Sequence, residues 1–253
     1  MVTEFSGRGA PERILLLLWR RSRAAAKPKG RPPRLSTDAV VDAAIIRADA
    51  DGLAAASIGR LAADLGVGTM TLYTYVPSRD ELVDLMVDEV LTRRALPGPG
   101  EPRPADWREQ VRRYADRTHE MYAAHPWLAQ VSQVRPPIGP GMLAEREYVL
   151  SVVAGLGLPV HRVNTAAVTI QAFVTSWARS AAEIELVRRA TGETTDAWWL
   201  SRQDLWETWF DVDRHPAMTA LWNAGGFDRG PDEQVRDAYA YGLDLILDGI
   251  SRG

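Results

Sequence analysis

Cysteine is absent from this sequence of 253 residues, which excludes disulfides, thiolate zinc sites, iron–sulfur clusters and cysteine nucleophiles. Long apolar runs are also absent. The run at residues 14–19 ends at Arg20 and Arg21, and it is too short for a secretory signal or for the roughly 20 apolar residues of a membrane helix. We therefore expect a cytoplasmic protein without a membrane partner.

Catalytic and cofactor motifs are missing as well. The four histidines are scattered along the chain, and there is no H-E-x-x-H, no G-x-S-x-G, no phosphate-binding loop and no dinucleotide fingerprint. We expect no catalytic residue, no metal site and no cofactor. An all-helical enzyme stays open as the less favoured alternative.

Charge is distributed unevenly. Residues 1–36 contain nine basic and two acidic residues, a net charge of +7, so the remainder carries −10 of the total of −3. A basic end on an acidic body predicts a polyanionic partner for that end alone. A solvated, disordered tail is the alternative.

Two proline-rich stretches divide the chain. Residues 24–34 contain three prolines and a glycine without apolar periodicity, which predicts an extended linker. Residues 96–104 contain four prolines and two glycines, which predicts a domain boundary. We expect a basic, partly flexible arm at 1–34, with regular structure starting only after it, a small domain at 35–95 and a larger one at 105–253.

The small domain opens with an amphipathic helix. Ser36 or Thr37 can cap its start, and Gly52 ends it. Its apolar positions recur at i, i+3, i+4 and i+7, which is typical of a helix with one buried face. These positions are Val41, Ala44, Ile45 and Ala48.

Two short helices follow, at about residues 58–65 and 69–75. Gly66 stops the first, since glycine adopts the left-handed conformation just past a helix end without steric cost. Two short helices joined by a tight glycine-containing turn predict a helix-turn-helix, whose second helix lies in the DNA major groove. Hydroxyl, aromatic and thioether groups are available to its outer face: Thr69, Met70, Thr71, Tyr73 and Tyr75.

A longer helix completes the domain. Ser78 and Glu81 form a capping box that opens it, and it runs to about residue 94. Glu81, Asp84 and Asp88 recur along one side, which we interpret as a polar face.

Residues 56–82 resemble the DNA-binding domain of the tetracycline-repressor (TetR) family. The segment LYTYVPSRDEL matches that family's pattern of Leu-Tyr, a spacer, an aromatic residue, a hydrophobe, a turn and a basic residue. The resemblance covers about residues 36–94, whereas the C-terminal part resembles the family only in its helical pattern. It implies an all-α fold, with a three-helix DNA-binding domain joined to a larger helical domain for ligand binding and dimerisation.

The resemblance also implies roles for individual residues. Positions that match Thr71, Tyr73 and Tyr75 contact bases or phosphates, and the position of Arg79 contacts a phosphate. Thr69, Ser57 and Arg60 match positions that add backbone contacts, and Met70 can meet a thymine methyl group. Gly59 departs from the family, since many members carry arginine or threonine there.

The predicted arm contains a second candidate for DNA contact. Lys29-Gly30-Arg31-Pro32 resembles the Gly-Arg-Pro core with which flexible arms enter the minor groove of A·T-rich DNA. We therefore add Lys29 and Arg31 to the predicted DNA-binding residues, with a passive linker as the alternative.

The larger domain is predicted to be helical at about 106–124, 141–156, 160–189, 196–211 and 231–250. One short recognition helix reads few base pairs, so specific binding predicts two copies of the chain on a palindromic operator. A four-helix dimer bundle is implied by the resemblance, although burial within one chain is the alternative. The candidate interface residues are Val163, Ala166, Ile170, Val235, Ala238, Gly242, Leu245 and Gly249.

Seven of the nine tryptophans lie beyond residue 120. Large aromatic residues line pockets for apolar or aromatic molecules, although most tryptophans simply belong to cores. The candidate ligand-binding residues are Trp127, Phe173, Trp177, Trp206 and Trp209.

The sequence as a whole favours a cytoplasmic, homodimeric transcriptional regulator. We expect its partners to be double-stranded operator DNA and a small-molecule effector, and its action to be repression that the effector relieves by shifting the population of two conformations. A nonspecific architectural DNA-binding protein is the alternative that the basic N-terminus supports.

Overall fold

A computed structural model describes residues 4–23 and 35–252. The predicted all-α class is confirmed: apart from one two-stranded parallel sheet, the regular elements of these residues are helices. The chain divides into two compact units, Met1–Glu183 and Ile184–Gly253. The predicted DNA-contacting residues Lys29 and Arg31 lie outside the described residues.

The helices of residues 35–95 match the prediction closely. They are α3 (Thr37–Asp51), a 3-10 turn (Leu53–Ala55), α4 (Ile58–Asp64), α5 (Thr69–Tyr73) and α6 (Arg79–Arg93). Ser36 caps α3, since its hydroxyl accepts a hydrogen bond of 3.1 Å from the amide of Ala39. The apolar stripe predicted for α3 is buried throughout.

The N-terminal segment is folded, contrary to the prediction that regular structure starts only after residue 34. It contains strand β1 (Glu4–Phe5), helix α1 (Pro11–Leu18) and a single turn of helix, α2 (Arg20–Arg23). Pro11 occupies the first turn of α1, where its missing N–H costs no hydrogen bond. Ile14 and Leu18, one turn apart, bury the inner face of α1.

The rest of the first unit consists of α7 (Trp107–Ala124), a 3-10 helix (Pro126–Gln130), β2 (Val131–Ser132), α8 (Pro140–Ala154) and most of α9 (Val160–Thr191). Strand β1 pairs with β2 in parallel. Helix α6 packs along α8, so the core continues past the proline-rich loop at 96–104. The boundary between the compact units therefore falls within α9 and not at that loop.

The second unit contains the end of α9 followed by α10 (Thr195–Leu200), α11 (Asp204–Thr208), α12 (Pro216–Asn223) and α13 (Pro231–Ser251). The single helix predicted at 196–211 is wrong, because turns at residues 201–203 separate α10 from α11. Helix α12 was not predicted. Among the described residues, no helix has the length and apolar character needed to cross a membrane.

Candidate nucleic-acid interface

Helices α4 and α5 form the predicted helix-turn-helix. Gly66 has a φ of +64°, in the left-handed region, and the next amide, that of Val67, donates a hydrogen bond of 3.0 Å to the carbonyl of Ala62. Leu61 and Leu72 are fully buried where the two helices pack. This turn chemistry fixes the angle at which α5 leaves the domain.

Helix α5 presents its outer face to solvent. Met70 is 75% exposed and Tyr73 is 43% exposed, and Thr69 and Thr71 are exposed beside them. Tyr73 is therefore not a core residue. Three hydroxyl groups and one thioether form a short polar and apolar surface without any charge of its own.

The flanking candidates differ in accessibility. Arg60 on α4 is exposed and forms no ion pair within residues 4–23 and 35–252. Ser57 is half-buried at the N-cap position of α4, and its side chain makes no capping hydrogen bond. Tyr75 is half-buried, and its carbonyl accepts a hydrogen bond from the Thr37 hydroxyl.

Arg79 holds the helix-turn-helix from inside the protein. Its guanidinium donates to the carbonyls of Leu53, at 2.9 Å, and Ala56, and to Glu4 Oε1 at 3.1 Å. Those carbonyls belong to the turn that leads into α4. Three of the five donors of Arg79 are therefore used within the chain, and the phosphate contact stays a prediction.

Four of the arginines that precede the linker are paired with acidic residues. Arg8 lies 3.7 Å from Asp80 and Arg13 lies 3.4 Å from Glu81, while Arg20 and Arg21 pair with carboxylates on α3 and α6. Part of the positive charge of this segment is thus balanced by carboxylates of the same chain. Arg8, Arg13 and Arg21 nevertheless stay more than half exposed.

The pKa values follow this pairing. Burial alone would raise the pKa of Asp38, but hydrogen bonds from Arg20 and Arg21 outweigh it and hold the pKa below its ordinary value. Burial would likewise raise the pKa of Glu81. Hydrogen bonds from the Ser78 hydroxyl and the Ala10 amide outweigh this effect, so the pKa of Glu81 lies below its ordinary value.

The acidic side of α6 is buried, contrary to its interpretation as a polar face. Asp84 accepts hydrogen bonds from the amides of Gly7, at 2.6 Å, and Gly9, at 3.2 Å. Asp88 accepts one of 3.1 Å from the amide of Met142, in the first turn of α8. Burial raises the pKa of both aspartates.

Glycines allow α8 to approach α6 this closely. A Cβ atom at Gly139 would lie 2.3 Å from the Asp88 carboxylate, and one at Gly141 would lie 2.4 Å from the Asp88 carbonyl oxygen. The carboxylate of Asp88 therefore caps α8 across a contact that only glycine permits. Sequence reasoning missed this contact because the two helices are distant in the chain.

The N-terminal segment also contacts residues 131–138. The Ser6 hydroxyl lies 2.9 Å from the Ser132 carbonyl and 3.0 Å from the Arg135 carbonyl, and the Trp19 indole donates to the Ile138 carbonyl at 3.0 Å. The continuous apolar run at residues 14–19 was the available signal for this docking. Through Glu4, which binds Arg79, and Ser6, which binds the Ser132 carbonyl, the N-terminal segment connects the helix-turn-helix to strand β2.

A buried polar cluster lies where α6 ends. Arg94 donates to the Thr118 hydroxyl at 3.0 Å and pairs with Glu145 at 3.1 Å. The Tyr114 hydroxyl donates to Glu145 at 2.5 Å, and burial raises the Tyr114 pKa well above its ordinary value. Sequence reasoning missed this cluster, since its members come from three separate helices.

The ligand-binding candidates are divided between the two compact units. Trp127 is buried and donates its indole N–H to Asp49 at 2.8 Å, so it holds the 3-10 helix against α3. Phe173 and Trp177 lie one turn apart on α9, with ring centroids 6.0 Å apart. Trp206 lines a cavity in the second unit, whereas Trp209 is 77% exposed and is not among its lining residues.

The dimer candidates separate into buried and exposed positions. Ile170 is fully buried within the single chain, so it offers no surface to a second copy in this conformation, and Ala166 is 8% exposed. Val163 is half-buried. On α13 the predicted stripe faces solvent, with Val235, Ala238, Leu245 and Gly249 exposed and Gly242 partly exposed.

Comparison with known proteins identifies a family model, a relative and two solved structures that this chain matches. Residues 99–252 match the family model described as "Tetracyclin repressor-like, C-terminal domain". The HTH-type transcriptional repressor DrrR1 of Streptomyces coeruleorubidus is 38% identical over 248 residues, which cover 98% of this chain and 88% of DrrR1.

Two solved structures of the TetR family protein ActR from Streptomyces coelicolor are similar in fold. Apo ActR has a TM-score of 0.69 at 28% identity, with 88% of this chain and 98% of ActR covered. ActR in complex with actinorhodin has a TM-score of 0.70 at 28% identity, with 87% and 96% covered.

Proposed function

This chain belongs to the tetracycline-repressor (TetR) family of DNA-binding transcriptional repressors, and from that premise we propose that a small apolar or aromatic ligand releases it from a palindromic operator. The observation that carries the proposal is the exposed outer face of α5 on a tightly closed helix-turn-helix. The proteins it resembles are regulators and not enzymes.

The outer face of α5 suits the major groove. Hydroxyls of Thr69, Thr71 and Tyr73 can bond base edges or phosphates, and the Met70 side chain can contact a thymine methyl group. Because this face carries no charge, we assign it to sequence discrimination. Nonspecific attraction then comes from exposed Arg60 and from the proposed minor-groove residues Lys29 and Arg31.

A palindromic operator follows from the length of α5. A helix of five residues reads only a few base pairs, so two copies about 34–36 Å apart, one turn of DNA, are needed for specific binding. The exposed apolar stripe of α13 is the surface we propose for the homodimer. We place this dimer in the cytoplasm, with its operator.

Ligand response is supported by ActR, which has been crystallised with actinorhodin. The ligand needs a differential affinity for the conformation that cannot bind DNA. Helix α6 is the natural lever, because it begins at the helix-turn-helix, packs along α8 and ends at the Arg94 cluster.

The test is footprinting on the DNA upstream of the protein's own gene, with random-sequence duplex as competitor. Thr71→Ala should lose about 1–3 kcal/mol of specific binding and alter base preference, whereas binding to random DNA should hardly change. Thr74→Ala is the matched control, because the Thr74 hydroxyl is bonded to the carbonyl of Thr71. Equal losses on both DNAs would favour a nonspecific architectural protein.

A further inference from the structure

The second compact unit contains a cavity of about 290 Å³ with a largely aromatic wall. Four rings contribute to it: Trp206 and Phe210 from α11 and the residues after it, Trp222 from α12, and Phe227. The ring centroid of Trp206 lies 5.3 Å from that of Phe210 and 5.9 Å from that of Trp222, which lies 6.2 Å from Phe227. The rings form a continuous chain around one space.

These rings are not sealed within the unit. Trp222 is 58% exposed and Phe227 is 37% exposed, while Trp206 and Phe210 are partly buried. An apolar or aromatic molecule that covers this surface removes it from water, which favours binding. The cavity is large enough for a ring system of two or three fused rings.

Charge selects among such molecules. Glu207 lies on the cavity wall and forms no ion pair within the described part of the chain. Residues 203–227 contain four acidic residues and one arginine, and that arginine, Arg214, pairs with Asp211 at 3.4 Å. The faces of aromatic rings are themselves electron-rich. The wall and its surroundings therefore favour a positive charge.

We propose that this cavity binds a flat aromatic cation, held by its rings against Trp206 and Trp222 and by its charge near Glu207. Aromatic faces attract cations within about 6 Å of the ring centroid, and the carboxylate adds Coulombic attraction. This proposal rests on the proposed function in one respect: only if the protein is a ligand-responsive repressor is the aromatic cation its effector. Binding itself is a property of the second unit and needs no DNA.

The experiment uses the full-length protein without DNA and three tricyclic probes of similar outline. Proflavine is a cation at pH 8, acridine is neutral and anthracene-9-carboxylate is an anion. Isothermal titration calorimetry should rank their affinities in that order. Equal affinity for all three, or a preference for the anion, would overturn the proposal.

Variants assign the binding to this cavity. Glu207→Gln should weaken proflavine binding about threefold and leave acridine unchanged, while Glu233→Gln, a charge removal on α13 away from the wall, should change neither. Trp206→Ala should weaken both probes about tenfold. Phe227→Leu, a milder change on the same wall, guards against misfolding of the Trp206 variant, and unchanged binding in both would refute the site.

Two further outcomes remain distinct. If Trp222→Ala dissociates a dimer while the wild-type protein binds none of the probes, the rings form a contact between copies and the proposal falls. If the wild-type protein fails to footprint any operator but binds proflavine as described, the proposed function fails while this site stands.

Discussion

The N-terminal segment, residues 4–23, and helix α5 both carry groups that suit nucleic acid, but the structure uses them in opposite ways. The segment is rich in arginine, and Arg8, Arg13, Arg20 and Arg21 all lie against carboxylates of the same chain. Helix α5 has no charge and yet holds its hydroxyls and Met70 in solvent. Availability, more than charge density, identifies a surface for an external partner.

The difference arises from what each element can bury. Segment 4–23 brings apolar residues such as Ile14 and Leu18 to α6, and its amides find acceptors in Asp84 and Glu81. Docking is then favoured by apolar burial together with charge-assisted hydrogen bonds. Helix α5 buries only Leu72, so the rest of its surface stays free for DNA.

The largest effect should come from breaking the docking of the segment. Asp84→Ala leaves the amides of Gly7 and Gly9 without their acceptor in a buried site, which should lower the free energy of unfolding by about 2–4 kcal/mol. Thermal or urea unfolding measures this. Asp80→Ala, which removes only an exposed pair with Arg8, should cost under about 1 kcal/mol, and equal costs would contradict the assigned docking.

Next in size is the loss expected on α5. Tyr73→Ala should weaken specific DNA binding by about 1–3 kcal/mol but leave the free energy of unfolding within about 0.5 kcal/mol, because the side chain projects into solvent. A quantitative DNA-binding assay tests the predicted loss of affinity, and calorimetric unfolding tests the predicted lack of change in stability. A large loss of stability would show that Tyr73 belongs to the core after all.

Two arginines then sharpen the comparison through salt dependence. Arg60→Gln should reduce the slope of log K against log salt by about 1.8 for the dimer, about 0.9 for the phosphate contact that each protomer loses. Arg79→Gln should leave that slope unchanged and lower the free energy of unfolding by about 1.5–3 kcal/mol, since its hydrogen bonds are internal. Titrations at several salt concentrations measure the slopes. A reduced slope for the Arg79 variant would instead support the phosphate contact predicted from sequence.

The smallest effect concerns pH. Burial raises the pKa of Asp84 in the folded state, so its contribution to stability is fully present below the ordinary carboxyl pKa of about 4 and is lost as the pH rises through the folded value. Asp38 and Glu81, whose pKa values are lowered, act in the opposite sense: their contributions are present above that value and are lost as the pH falls.

Asp84→Asn isolates the first of these effects. The stability of the variant relative to the wild-type protein should increase as the pH rises from 4 to neutrality, because the variant has no proton to lose at this position. Unfolding free energies at a series of pH values provide the measurement. A stability difference that is constant over this range would place Asp84 among ordinary, unperturbed carboxyls.

Local sequence predicted the elements that depend on local chemistry. The cap at Ser36, the turn at Gly66 and the apolar stripe of α3 follow from backbone geometry and helical periodicity within a few residues. The exposed face of α5 could be inferred for the same reason, because the register of a short helix is set by its own turn.

The acidic side of α6 shows where this reasoning fails. A row of carboxylates has the same periodicity whether water or another part of the protein covers it. Asp84 and Asp88 are buried only because distant parts of the chain pack against them. These parts are Gly7 and Gly9 for Asp84 and the start of α8 for Asp88. The internal hydrogen bonds of Arg79 could not be predicted for the same reason, since the carbonyls and the Glu4 carboxylate that it binds come from elsewhere in the chain.

The sequence by itself determined the helical class, the helix-turn-helix and the residues that α5 turns outward, because hydrogen bonds and side-chain spacing along one helix are short-range properties. Tertiary structure alone decided which charges are internally neutralised, which tryptophans line a cavity and which apolar helix faces stay free. These properties depend on contacts between residues that are distant in the chain, and neither the spacing nor the composition of the sequence specifies those contacts.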